Sequence, residues 1–412
     1  MTWTRRLKYP LSRALFFLGI LGPGLITSSA DNDAPGIATY SMAGSTYGYA
    51  FLWIILWITV GEVLVQEMSA RMGTVTGKGL TDLIRERFGL RVTFFIMLGL
   101  VMANMGTTAA QFAGIAASAE LFGISRHLAV PMAALAVWVL VTRGSYQRVE
   151  KIFLVMSLYA VAYVISAFMV RPPWGQVIRQ VFVPTLHRDT SYLLAVLATI
   201  GTTITPWAAV YMQASTADKG VKIEEYKDAR LDAIVGAAIG NLVSAFIVIC
   251  TAATLFVHGV RVETAAQAAQ ALAPLAGRWA ELLFGIGLLG ASLLAASVLP
   301  LSTTYAVCEI FGWERGLNHH AKDAPMFYGL YTAFIVISAS IVLLPGLKLF
   351  PLMWLSQVAN AVLLPVVLVL MLRLVNDAGI MKEWRNGKVK NALVILLTAL
   401  ISLATVALFM SL

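Results

Sequence analysis

The sequence predicts an all-α polytopic membrane protein with about eleven transmembrane helices. Of its 412 residues, 59% are hydrophobic and only 12% are charged, whereas soluble domains usually carry about 25% charged residues. Apolar runs of about 20 residues, the length that crosses a bilayer as a helix, recur along the chain. Lys and Arg residues cluster between these runs in alternate segments, which is typical of a polytopic protein.

The apolar runs place the spans at about 14–43, 50–69, 93–122, 126–142, 149–170, 191–216, 230–257, 279–310, 326–346, 350–372 and 391–411. The first and sixth runs are interrupted by polar or helix-breaking residues, and both are long enough to hold a break and still cross. The break at Thr205-Pro206 comes five spans after the break at Asp31–Gly36. The pattern therefore predicts two broken helices in corresponding positions.

Basic residues predict the orientation of the chain. With the N-terminus in the cytoplasm, 23 of the 30 Lys and Arg residues fall in cytoplasmic segments, as the positive-inside rule requires. An odd number of spans then places the C-terminus outside, and the net charge of +9 reflects membrane topology rather than nucleic-acid binding. Two amphipathic segments, Gly79–Gly89 and Trp174–Val183, are predicted to lie along the membrane surfaces.

The spans are expected to form a single membrane transport domain, residues 1–412. Two repeats of five spans cover about 14–170 and 191–372, and an extra helix follows at about 391–411. Because five is odd, the second repeat enters the membrane from the opposite side to the first. In transporters of this inverted topology the substrate lies near the midplane, where the first helix of each repeat is unwound.

The first break places oxygen ligands at that depth. Asp31, Asn32 and Asp33 supply two carboxylates and an amide, and Pro35 and Gly36 disfavour a continuous helix. An ionised carboxylate in mid-membrane costs at least about 2.5 kcal/mol and marks an ion path or a pair. No basic residue lies within the span cores, so we expect a cation site. The alternative, a kinked structural helix whose aspartates bond to helix ends, stays open, above all for Asp31.

Several motifs stand in one order around the breaks: "GPG", "AGSTYGY", "LVQEMSARMG" and "VTGK" around the first, then "IGTTITPWAAVYMQAS" and "LSQVANAVLLPVVLVLMLRLVND". They resemble the first two helices, the sixth helix and the tenth helix of the NRAMP divalent-metal transporters. The resemblance covers most of the chain. It implies that family's LeuT-like fold, a 5+5 inverted repeat with helices 1 and 6 unwound.

The resemblance also implies a metal site. Asp33 falls on the metal-binding aspartate of the family and Gly36 on its asparagine. Thr205 takes the place of the family's metal-binding methionine. Thr202 takes the place of the family residue whose backbone carbonyl binds the metal. Asp31 and Asn32 belong to the same break and are included as candidate ligands. The possible supporting residues around these ligands are Asn360, Gln357, Gln111 and Trp207.

Titratable residues of the family are replaced in this chain. The two histidines of the family's sixth helix align with Trp207 and Met212 of this chain. The acidic pair of the family's proton path aligns with Thr108 and Gln111. Proton coupling is therefore not expected.

The departures from the family pattern favour Mg2+ as the substrate. A threonine hydroxyl is a hard ligand, whereas the thioether it replaces is soft. Mg2+ gives up its water reluctantly and is usually held by one or two carboxylates and several waters. The sequence thus resembles the NRAMP-related magnesium transporters most, and predicts uptake of Mg2+, and also Mn2+, as partly hydrated ions across the cell membrane.

The predicted partners are the metal ion and the lipid bilayer. We expect no cofactor, no nucleic acid, no obligate protein partner and no enzymatic activity. The alternative within transport is a proton-coupled Mn2+/Fe2+ importer of the usual NRAMP kind. An amino-acid carrier is disfavoured because Asp33 would repel a substrate carboxylate. An intramembrane aspartyl protease would need its two aspartates on separate facing helices.

Overall fold

The computed structural model describes residues 32–143, 160–187, 189–273, 277, 280–317 and 322–411. Thirteen helices of nine residues or more lie within them: α1 (Ala34–Tyr47), α2 (Leu52–Thr76), α3 (Leu80–Leu121), α4 (Arg126–Arg143), α5 (Ala160–Met169), α6 (Trp174–Phe182), α7 (Thr190–Thr203), α8 (Pro206–Asp218), α9 (Tyr226–Thr254), α10 (Ala280–Phe311), α11 (Pro325–Val342), α12 (Leu349–Val375) and α13 (Lys388–Ser411). Asp31, the first half of the first predicted span and the start of the fifth lie outside the described residues.

The long helices have the length and polarity of membrane spans. Nine helical stretches of the described residues are apolar enough to cross a bilayer, and the first of them, Ala34–Thr76, contains both α1 and α2. Large hydrophobic side chains such as Phe95, Leu135 and Leu403 are exposed on the outer surface, where a bilayer would cover them. Buried threonine, serine, asparagine and glutamine side chains lie inside the bundle. The polarity is therefore that of a membrane protein with a polar interior.

Small residues allow the central helices to approach closely. A Cβ atom on Gly201, in the last turn of α7, would lie 1.9 Å from the backbone oxygen of Gln357 on α12. Such contacts between backbones are typical of helix packing in membranes. The glycine therefore brings the end of α7, next to the second break, directly against α12.

The two predicted surface segments are helical. Residues 80–88 form the first turns of α3, and the chain bends at Gly89, whose φ of 81° lies in the left-handed region. The second segment forms α6, Trp174–Phe182. The first segment continues into the third span instead of forming a separate helix, because the single glycine redirects the chain without a loop.

Charged side chains gather at one end of the bundle, which we call the basic end and define by Arg71, Lys78, Arg85, Arg315 and Lys390. Two acids that the sequence places inside spans are bonded here. Glu67 on α2 pairs with Arg71 at 3.3 Å and with Lys390 at 3.0 Å. Glu309 on α10 accepts a hydrogen bond from the backbone N–H of Thr81 at 3.2 Å.

These contacts of Glu67 and Glu309 agree with a structural role for both acids. Each carboxylate joins its helix to a neighbouring segment: α2 to the start of α13, and α10 to the first turn of α3. Buried carboxylates with such partners are the usual way in which charge is tolerated inside a protein. They also hold the basic end tightly packed.

Candidate metal site at two broken helices

The first break ends at Asp33, which is the N-cap residue of α1. Its backbone is extended, with φ −77° and ψ −177°, and its Oδ1 accepts a hydrogen bond of 2.7 Å from the backbone N–H of Gly36. Aspartate is among the best N-cap residues, and proline is favoured in the first helical turn because its missing N–H needs no partner there. The sequence Asp-Ala-Pro-Gly therefore starts a helix.

This observation corrects the predicted extent of the unwound segment. We expected the break to run from Asp31 to Gly36, but Pro35 and Gly36 belong to the first turn of α1. Of the described residues, Asn32 and Asp33 are the non-helical ones in this segment. The physical reason is the cap: with Asp33 bonded to Gly36, the fixed φ of Pro35 suits a helix start and does not oppose it.

The second break has the same design. α7 ends at Thr203, Ile204 is non-helical with φ −105° and ψ 76°, and Thr205 is the N-cap residue of α8. The Thr205 hydroxyl oxygen accepts a hydrogen bond from the backbone N–H of Ala208 at 3.3 Å, and Pro206 is the first residue of α8. Both helices that follow a break therefore begin with a polar cap and a proline.

Thr202 lies in the last turn of α7, directly before the second break. In a continuous helix its carbonyl oxygen would accept from the N–H of residue 206, and proline has none. Its hydroxyl oxygen is buried and has no hydrogen-bond partner within the described part of the chain. Two oxygens of Thr202 are thus candidates for binding a cation or its water.

Gln111 on α3 contacts the first break directly. Its side-chain nitrogen donates a short hydrogen bond to Oδ2 of Asp33, and its side-chain oxygen accepts from the backbone N–H of Ala34 at 3.3 Å. Gln111 is fully buried and Asp33 is 3% exposed. The carboxylate at the centre of the predicted site therefore faces a neutral amide.

Asn32 faces a different helix. Its side-chain nitrogen donates to the backbone oxygen of Gly240 at 2.8 Å, and its side-chain oxygen accepts from the hydroxyl of Ser244 at 2.8 Å. Both partners lie on α9, so the amide of Asn32 holds the break against that helix. Sequence reasoning missed Ser244, because a serine in an apolar span gives no signal of which neighbour it contacts.

Next to the contact between Asn32 and α9, Glu62 of α2 is bonded to α9. The side-chain nitrogen of Asn241 donates a short hydrogen bond to Glu62, and both residues are buried. Gly61 lies against the second break, since a Cβ atom there would come 2.8 Å from the side chain of Ile204. α2 therefore lies against the second break at Gly61 and is bonded at Glu62 to α9, the helix that contacts Asn32.

The remaining candidates lie on neighbouring helices. Asn360 on α12 donates to the hydroxyl of Thr107 at 3.1 Å and to the side-chain oxygen of Gln357 at 3.2 Å. Trp207 is fully buried in the first turn of α8, and its backbone oxygen accepts from the hydroxyl of Ser302 at 2.8 Å. The structure thus brings Asp33, Gly36 and Gln111 into contact, and it places Asn360 one turn before Gln111 along the surface of α3.

Two cavities lie at the end of the bundle opposite the basic end. A cavity of about 880 Å³ is lined by residues including Met42, Glu120 and Glu263. A second cavity of about 230 Å³ shares Met42 and Trp354 with it and reaches Thr39 on α1. Thr39 lies six residues beyond Asp33, which is about 9 Å along a helix.

At the basic end, side-chain contacts join α8 to neighbouring segments. Gln213, near the end of α8, donates from its side-chain nitrogen to the backbone oxygen of Lys78 at 3.0 Å. The hydroxyl of Tyr305 on α10 donates to Oδ2 of Asp218 at 3.0 Å. The end of α8 is therefore fastened to the loop before α3 and to α10, while the cavities lie at the opposite end.

Within the described residues, a helix that starts after Asp33 and a break between α7 and α8 lie inside a helical bundle, and solved structures share this fold. The chain aligns with a manganese transporter of Eremococcus coleocola at 21% identity, covering 98% of this chain and 89% of that one with a TM-score of 0.78. It also aligns with Mhp1, a nucleobase-cation-symport-1 family transporter, at 14% identity, 94% and 90% coverage and a TM-score of 0.59. The expected LeuT-like fold is confirmed.

Sequence comparison identifies the family. The family model "Natural resistance-associated macrophage protein-like" (Nramp) matches residues 24–411, and the chain belongs to this family. A divalent metal cation transporter MntH of Erwinia tasmaniensis is 28% identical over 378 residues, covering 90% of this chain and 88% of that protein. The MntH of Bacillus subtilis is 32% identical over 296 residues, 69% of each chain.

Proposed function

We propose that this protein carries divalent cations, chiefly Mg2+ and also Mn2+, into the cell as partly hydrated ions and without proton coupling. The observation that carries the proposal is the chemistry of the groups at the two breaks. They are oxygens: the carboxylate of Asp33, the hydroxyl of Thr205 and the carbonyl and hydroxyl of Thr202. Membership of the Nramp family and similarity to MntH transporters support divalent metal transport as the general activity.

Hard donors favour a hard cation. Carboxylate, hydroxyl, carbonyl and water ligands suit Mg2+, Ca2+ and Mn2+, whereas a thioether favours softer metals. Thr205 stands where the resemblance implies a methionine, and its hydroxyl is aligned by the cap contact with Ala208. A site of this composition has no ligand that prefers Mn2+ over Mg2+ by softness.

The arrangement around Asp33 favours a hydrated ion. Each carboxylate oxygen already accepts one hydrogen bond, from Gly36 and from Gln111. Gly36 has no side chain to offer in place of the amide that the resemblance implies at this position. Water must supply the remaining ligands, and Mg2+ commonly keeps several waters when it binds to proteins.

The neighbours of the site support uncoupled transport. Gln111, Thr108, Trp207 and Met212 are buried and do not titrate in the physiological range. The membrane potential by itself supplies about 4.6 kcal/mol per 100 mV for a doubly charged ion. A proton gradient is therefore not needed to drive entry.

The proposed orientation places the basic end in the cytoplasm of the cell. The N-terminus then lies inside and the C-terminus outside, and the cavities next to α1 open to the outside. The inverted repeats, about 14–170 and 191–372, and the extra helix remain part of the proposal.

Transport into liposomes tests the substrate. Purified protein should carry Mg2+ as well as Mn2+, and millimolar Mg2+ should inhibit Mn2+ uptake. The variant Asp33→Ala should carry neither ion and serves as the control for leak. Strong Mn2+ uptake that millimolar Mg2+ leaves unchanged would refute the preference for Mg2+.

A second candidate is a proton-coupled Mn2+/Fe2+ importer, favoured by the similarity to MntH proteins over about 90% of the chain. A pH indicator inside the liposomes separates the two functions. Coupled transport acidifies the lumen when metal enters, whereas the proposed uncoupled transport leaves the pH at the level of the leak control.

A further inference from the structure

The carboxylate of Asp33 is held by a two-point contact with Gln111. The Gln111 amide donates to Oδ2 of Asp33 and accepts from the N–H of the next residue, Ala34. Rotating the amide by half a turn would place its oxygen against the carboxylate and its NH2 group against a backbone N–H. Because both alternatives are repulsive, the two partners determine the orientation of the amide.

Close packing keeps Gln111 in place. Gly114 lies three residues further along α3 and therefore on the same face. A Cβ atom on Gly114 would come 2.2 Å from the side chain of Ala34 and 2.5 Å from the hydroxyl oxygen of Ser292. The glycine lets α3 approach the start of α1, and this approach puts the fully buried Gln111 side chain within reach of Asp33.

This contact limits what Asp33 can offer to a cation. An ionised carboxylate has about four acceptor positions on its two oxygens. Gly36 occupies one on Oδ1, and Gln111 occupies one on Oδ2. A cation that binds Asp33 directly competes with these hydrogen bonds for electron density, whereas a cation that keeps its water can bind through the remaining positions.

We propose that Gln111 is a specificity-determining residue: its amide weakens direct metal–carboxylate bonding and so favours hydrated Mg2+ over Mn2+. This inference rests on the proposed transport of both ions. The physical reason is that Mg2+ gives up water reluctantly, so it loses little when the carboxylate is a weaker direct ligand. Mn2+ exchanges its water more readily, so it gains more from a direct bond to the carboxylate and loses more when that bond is weakened.

The test compares Gln111→Met with Asn104→Leu in liposomes. Each substitution replaces a buried amide of α3 by an apolar side chain of similar size. Asn104 donates to the hydroxyl of Thr303 on α10 at 2.8 Å, so N104L alters another buried contact of α3 without touching Asp33. The measured quantity is the KM for Mg2+ and the KM for Mn2+ of each protein.

In Q111M the KM for Mn2+ should fall about tenfold, the factor that corresponds to about 1.4 kcal/mol, because a hydrogen bond to a charged group is lost. The KM for Mg2+ should change less than about twofold. N104L should keep the wild-type ratio of the two constants. The same ratio in wild type and Q111M, or a higher KM for Mn2+ in Q111M, would overturn the inference.

The transport of Mg2+ and Mn2+ by the wild-type protein separates this inference from the proposed function. Wild-type protein that carries Mn2+ but not Mg2+ refutes the preference for Mg2+, and the KM for Mn2+ in Q111M then decides the role of Gln111 by itself. If Q111M is not recovered folded, Gln111→Asn replaces it. Its amide is one methylene shorter and cannot span both contacts, so the same fall in the KM for Mn2+ is expected.

Discussion

Asp33 has two roles in this structure, and the substitution Asp33→Asn separates them. The side chain caps α1 through Gly36, and it is the proposed carboxylate ligand of the transported ion. Asparagine caps a helix about as well as aspartate, but it has no charge. If Asp33 were only a structural cap, D33N would still transport. If Asp33 binds the cation, D33N loses transport while α1 stays capped.

The expected magnitudes differ for stability and for transport. In D33N the donor of Gln111 loses its carboxylate acceptor, which costs about 1–3 kcal/mol of stability. Asp33→Ala loses the cap as well, a further cost of about 1 kcal/mol. For the ion, a 2+ charge about 4 Å from a carboxylate gains about 8 kcal/mol at an effective dielectric constant of about 20. Even a quarter of this value, about 2 kcal/mol, changes the affinity about thirtyfold.

The assay measures Mg2+ uptake into liposomes alongside thermal unfolding of the same preparations. The unfolding temperature should decrease from wild type to D33N and again to D33A, while uptake falls to the leak level in both variants. Uptake by D33N at more than half of the wild-type rate, with an unchanged KM, would show that the charge of Asp33 does not bind the ion. The residue would then be a helix cap only.

Other substitutions test the second break and the packing around it. Thr205→Met introduces a thioether and removes the hydroxyl cap of α8, so we expect inhibition by Cd2+ to strengthen at least about tenfold, with a stability loss of about 1 kcal/mol. Unchanged Cd2+ sensitivity in competition uptake would place residue 205 away from the ion. Gly201→Ala sets a Cβ atom 1.9 Å from a backbone oxygen of α12 and should lower the stability by about 1–3 kcal/mol. Gly175→Ala is the control, because no atom lies within 4 Å of the added Cβ atom, and it should leave the stability unchanged. Thermal unfolding of the two variants measures the difference.

The apolar helices of the described residues and the places where α1 and α8 begin were largely predictable, because they depend on local properties. Helix length in a bilayer follows from the thickness of the hydrocarbon, and every backbone group must be bonded within the segment. Proline at 35 and at 206 marks each break, since it removes a hydrogen-bond donor. The extent of the first break was less predictable. Pro35 and Gly36 can end a helix or begin one, and only the cap by Asp33 decides between the two.

The contacts of the candidate site were predictable only in part. The resemblance pointed to Gln111 as a residue near the ion, but not to the amide that bonds both Asp33 and the N–H of Ala34. Asn32 was expected beside the ion, whereas its amide is used by Gly240 and Ser244 on α9. These partners lie 208 and 212 positions from Asn32 in the chain, and a single sequence carries no record of which distant helix face lies opposite.

The sequence by itself determined that this chain is a membrane protein and that its apolar runs are interrupted at Asp33 and at Thr205-Pro206. These properties follow from hydrophobic length, from proline chemistry and from the cost of a carboxylate in lipid. The tertiary structure decided which groups surround that carboxylate and which helix lies against the second break. Both depend on how closely α3, α9 and α12 approach the breaks, and this distance is set by small residues such as Gly114 and Gly201, whose effect exists only once the helices are packed.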